Sequence, residues 1–66
     1  MLEKEPTEYG VYRHTKTQNE YVIVSYPEVK VGGQWLPGVT YVSMKDGDDR
    51  PYVRTMGDFM QSFEEV

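Results

Sequence analysis

A chain of 66 residues makes one small domain, and folding buries only about 60% of the surface that so short an unfolded chain exposes. Eleven acidic against seven basic residues give a net charge of −4, which opposes non-specific attachment to a phosphate backbone. With no cysteine and one histidine, His14, neither a disulfide nor a zinc site of nitrogen and sulfur ligands can be assembled within one chain. Six Tyr, one Trp and two Phe are left to supply a core, with dimerisation as a further source of buried area.

Residues 1–9 are polar and acidic, with Pro6 among them, and read as a flexible lead-in to a single domain over residues 10–66. No apolar run is long enough for a membrane span or an export signal, so the expectation is a soluble cytoplasmic protein that makes no membrane contact. Gly10 opens Val11-Tyr12-Arg13-His14, a short β run with Val11 and Arg13 on one side and Tyr12 and His14 on the other. Thr15 to Asn19 form the turn. Glu20 to Tyr26 is the strongest strand signal, rich in β-branched and aromatic residues and apolar on both faces, which predicts a central position.

Pro27 ends or bulges that strand, because proline donates nothing to a ladder. Val29 and Val31 continue in alternation to Gly32-Gly33, a tight hairpin turn, and the return limb runs from Gln34 to Met44 with a bulge or bend expected at Pro37-Gly38. Asp46-Gly47 is a second hairpin signal leading to a strand at Tyr52. The period then changes. Thr55 followed by Asp58 resembles a capping box, and Met56, Phe59, Met60 and Phe63 recur at helical spacing, which predicts a helix over residues 56–65 with those four side chains buried. These elements predict a mainly β fold: a small SH3-like antiparallel β-barrel or bent sheet with one C-terminal α-helix.

The motif residues Tyr12-x-His14-x-Lys16, Tyr21-x-Ile23, Tyr41 and Tyr52-Val53-Arg54-Thr55 with Phe59 resemble the pattern of the uncharacterised domain-of-unknown-function family 1653, made up of short bacterial and phage domains. The resemblance covers roughly residues 10–63. Thr17 stands where that pattern has Gly, Thr55 where it has Pro, and the Gly-Gly and Trp-Leu-Pro-Gly hairpin differs from its middle segment. The family has no established function, so the resemblance implies a small domain of phage or prophage origin in a bacterial cytoplasm and implies no activity.

Candidate binding residues are Tyr12, Arg13, His14, Lys16, Tyr52 and Arg54, gathered into one patch if the first and last regular strands lie side by side. There Arg54 presents a planar fork to a carboxylate or phosphate and His14 exchanges a proton beside it. The structural alternative pairs Arg54 with Asp58, one helical turn on, while His14 closes a turn through a backbone hydrogen bond. Trp35 is either an exposed recognition aromatic or the main filler of the core. Asp46, Asp48 and Asp49 lack the alternation of a calcium loop and read as a solvated turn. No serine sits in a nucleophile turn and there is no thiol, so no catalytic residue, metal or cofactor is expected. The expected role is a non-catalytic module that binds a protein, such as a host protein, with a small-molecule or nucleotide-binding homo-oligomer as the alternative. Nucleic acid is disfavoured by charge, and a homodimer is allowed.

Overall fold

The computed structural model describes residues 9–66, so the lead-in expected over residues 1–9 falls outside the described residues except for Tyr9. Its elements are β1 (Val11–His14), β2 (Glu20–Ser25), β3 (Glu28–Val31), β4 (Gln34–Ser43), β5 (Pro51–Thr55), α1 (Met56–Ser62) and β6 (Phe63–Glu65). All strands pair antiparallel in one sheet of six. The ten-residue β4 is its spine: Gln34 to Pro37 pair with β3, and the second half pairs with β2 on one side and β5 on the other. β2 is central, between β4 and β1, as its two apolar faces predicted, and β1 carries β6 on its far side.

The fold is therefore mainly β with one short helix, and of the two forms expected it is the bent sheet. No ladder joins β5 to β6, so the sheet stays open where a barrel would close. The physical reason lies in the connection between those strands. The chain passes directly from β5 into α1 and returns as β6, and the helix packs against β4, β5 and β6, occupying the gap with side chains.

Turn chemistry follows the residues. Gly32 and Gly33 both have positive φ, 58° and 82°, the requirement of a two-residue type I′ hairpin, and Val31 opposes Gln34 across it. The bulge is not at Pro37-Gly38. It lies in β2, where Ile23 opposes Tyr41 but Ser25 opposes Thr40, leaving Val24 as the extra residue. Gly38 is instead a point of close approach: a Cβ there would press into Val29 Cγ2 and sit 3.1 Å from the Arg54 carbonyl oxygen and 3.2 Å from that of Pro27.

Thr55 caps the helix, its Oγ1 accepting from the Asp58 N–H at 3.3 Å. The helix is shorter than the expected 56–65. Phe63 is extended, and Phe63, Glu64 and Glu65 form β6 opposite His14, Arg13 and Tyr12. Pairing with the open edge of β1 satisfies backbone groups that a longer helix would leave unmatched, and it sets Glu64 against Arg13. The inward set changes accordingly: Phe59 and Phe63 are buried and Met56 partly so, whereas Met60 is 44% exposed. Tyr12, Ile23, Val39 and Tyr41 complete the core.

Two substitutions test this packing. Phe59→Ala removes a ring with 0% exposure and should cost about 3–5 kcal/mol in urea unfolding. Gly38→Ala should cost about 1–3 kcal/mol by overpacking, with part of the loss recovered when Val29→Ala removes the opposing methyl groups.

Candidate functional site

Residues opposite one another in a ladder share a face, and the registers Tyr12↔Tyr21, His14↔Phe63, Ile23↔Tyr41, Tyr41↔Tyr52 and Val39↔Arg54 set all these side chains on the helix-bearing side of the sheet. Curvature brings the two ends of that face towards each other. The result is a cleft of about 220 Å³ lined by His14, Thr17, Tyr21, Tyr41, Tyr52, Arg54 and Phe63.

Arg54 is fixed by four contacts. Its Nε donates to the Tyr41 hydroxyl at 2.8 Å, its Nη1 donates to Asp58 Oδ2 at 3.1 Å and to Ser62 Oγ at 3.4 Å, and its Cζ lies 5.4 Å from the centre of the Phe63 ring. The Tyr41 hydroxyl and then the Asp58 carboxylate favour the charged guanidinium more than its partial burial opposes it, so the Arg54 pKa is raised above its ordinary value. The sign is that of a cation gaining partners: the contribution to stability is complete at neutral pH and is lost only as pH rises through a value above that of free arginine.

His14 closes the β1–β2 turn. Its Nδ1 accepts from the N–H groups of Lys16 at 3.3 Å and Thr17 at 3.4 Å, and its ring meets Phe63 edge-on at 4.9 Å. The neutral ring therefore carries its proton on Nε2. Tyr41 and Tyr52 stack at 5.7 Å, Tyr21 meets Tyr41 edge-on at 5.3 Å, and the Tyr52 hydroxyl donates to the Asp48 carboxylate at 3.3 Å.

Of the expected patch, His14, Tyr52 and Arg54 do meet, though not by strand adjacency. β1 and β5 are separated by β2 and β4, and it is sheet curvature that joins their residues. Tyr12 lies deeper, in the core against Phe59 at 5.4 Å. Arg13 points to the opposite face, where it stands between its cross-strand neighbours Glu20 and Glu64 at 3.7 and 3.2 Å. Lys16 is exposed in the turn. Trp35 is 61% exposed on the β3–β4 hairpin, 5.6 Å from Lys30 Nζ, and is not a core filler. Tyr21, Tyr41, Thr17 and Phe63 line the cleft without having been singled out as site residues. The inward phase shared with Tyr12 and His14 is the signal that identifies the two tyrosines.

Among the described residues no group of three or more His, Cys, Asp or Glu could hold a metal ion, and no helix is long and apolar enough to cross a membrane.

The Arg54 side chain is 30% exposed and that of Asp58 53%, so their ion pair is screened and Asp58→Asn should cost less than about 1 kcal/mol. Arg54→Ala also removes the charge-assisted bond to Tyr41 and should cost about 1.5–3 kcal/mol. A double-mutant cycle with Tyr41→Phe locates that energy: coupling between residues 41 and 54 is expected to exceed coupling between 54 and 58.

No family model, no curated protein and no solved structure matches this chain.

Proposed function

We propose that the protein is a non-catalytic binding module whose β3–β4 hairpin engages a protein partner. The observation that carries this reading is the placement of Trp35. A domain this small depends on aromatic burial, yet its one tryptophan is 61% exposed, while Tyr and Phe residues fill the core. Tyr26, Val31 and Trp35 are all exposed on or beside the same hairpin, and Trp is the residue type most concentrated at binding hot spots. Among the described residues β3 pairs with β4 alone, so its other edge is open to a partner strand, with Lys30 guarding it against unspecific pairing. The resemblance to short phage domains makes a bacterial host protein the partner this reading favours.

The test is affinity capture from host lysate with the wild type and Trp35→Ala in parallel, followed by reconstitution with the purified partner. Trp35 contributes to the fold mainly through an exposed cation–π contact, so the substitution should change stability by less than about 1 kcal/mol while abolishing the reconstituted complex. Hydrogen exchange should show the amides of residues 28–31 protected on binding. Equal binding by the variant overturns the reading. So does a concentration-dependent dimer, detected by light scattering, that the variant dissociates, because the hairpin would then be a self-association surface.

A further inference from the structure

The groups lining the cleft retain donors that the fold does not use. Arg54 engages Nε with Tyr41 and Nη1 with Asp58 and Ser62, and among the described residues Nη2 has no partner. The Tyr41 hydroxyl accepts from Arg54, so its own proton remains available. His14 accepts at Nδ1, which leaves Nε2–H as a donor in the neutral ring. The Tyr21 hydroxyl has no hydrogen-bond partner among the described residues. No buried side-chain nitrogen or oxygen in the described residues is unsatisfied, so Arg54 Nη2, His14 Nε2 and the Tyr21 hydroxyl reach solvent, while the Tyr41 hydroxyl belongs to a residue that lines the cleft.

We infer that this cleft binds a single carboxylate group. Its volume of about 220 Å³ falls below the roughly 300–1,000 Å³ of pockets that hold drug-sized molecules, so it admits one small group. The donors are a guanidinium nitrogen, two phenol hydroxyls and an imidazole N–H, a set that suits an oxyanion and offers no acceptor-rich surface for a cation. Charge selects the carboxylate over phosphate. Arg54 is the one Arg or Lys lining the cleft, and the chain carries −4, so a monoanion meets one matching charge while the second charge of a dianion finds no further cation there. Phe63 and the stacked Tyr41 and Tyr52 rings give the carbon next to the carboxylate apolar walls. The inference is independent of the Trp35 hairpin, because it concerns other residues on another part of the sheet.

The carboxylate can belong to a free small acid or to a peptide terminus. Nuclear magnetic resonance titrations of the whole protein, at constant ionic strength set with chloride, separate these sources. The probes are acetate, inorganic phosphate, and a short neutral peptide with its C-terminus free or amidated. Saturable shifts of the Arg54 Nε–H and His14 ring signals are expected with acetate and with the free peptide, and none with the amide. A free peptide that binds tighter than acetate identifies a chain terminus as the source, and equal affinities identify small acids. Arg54→Gln should abolish the response. Because that variant also disturbs the fold, Tyr21→Phe is the companion: it removes a hydroxyl that has no structural partner, leaves the unfolding midpoint in place, and should weaken acetate about fivefold. Absence of saturable shifts with acetate and peptide overturns the inference, as does phosphate binding tighter than acetate or wild-type affinity in a folded Tyr21→Phe.

Discussion

The parallel stack of Phe59 on Phe63, with ring centres 4.3 Å apart and planes within 4°, is the contact on which the rest of the structure depends. The first ring belongs to the helix and the second to the strand that follows it, so one i, i+4 pair ties α1 to the edge of the sheet. Tyr12 and Tyr41 meet these rings from β1 and β4, which draws both halves of the sheet towards the helix. An open antiparallel sheet with one apolar face is not stable alone at this size, and Phe59 supplies the cover that closure into a barrel would otherwise provide. Phe63 then serves twice, as core and as a wall of the cleft beneath Arg54.

The two arginines of the expected patch show how one residue type is used differently on the two faces. Arg13 stands between carboxylates from both neighbouring strands on the outward face, where water screens the pairing and its main effect is to set register. Arg54 lies on the inward face against rings and hydroxyls, where its hydrogen bond to Tyr41 is stronger than an exposed pair and its charge is retained. The same guanidinium that anchors β5 to β4 and to the helix leaves Nη2 without a partner among the described residues. The structural role of Arg54 and the binding role proposed for it are compatible. The rigidity that comes from the first is what would orient the second.

Aromatic residues are divided just as unevenly. Six rings, from Tyr12, Tyr21, Tyr41, Tyr52, Phe59 and Phe63, form one connected network that the His14 ring joins through Phe63, while Trp35 stands outside it on a hairpin that continues past the bulge at Val24. β3 pairs with the part of β4 before Gly38, whereas β2 and β5 pair with the part from Gly38 onward, so the hairpin extends beyond the portion of the sheet those strands complete. The hairpin and the cleft can thus vary separately on one small scaffold.

Much of the fold is legible in the residues themselves. Alternation in Val11 to His14, the β-branched and aromatic run expected over Glu20 to Tyr26, the Gly32-Gly33 turn and the Thr55 cap are local features, decided by sterics and hydrogen bonding within a few residues, and each is found where the sequence places it, the second strand ending one residue early at Ser25. The pairing of Arg54 with Asp58 is local in the same sense, one helical turn apart. The fate of Phe63 to Glu65 is not. Their apolar and acidic pattern suits a helix equally well, and only the free edge of β1, about 50 residues away in sequence, draws them into a strand. Membership of the cleft is likewise a product of register and curvature, because His14 and Arg54 lie on strands with two others between them. The sequence by itself determined which side each strand residue faces, since the β period is two; tertiary structure alone decided which of those sides meet, since that depends on how far the sheet bends before the helix fills the gap.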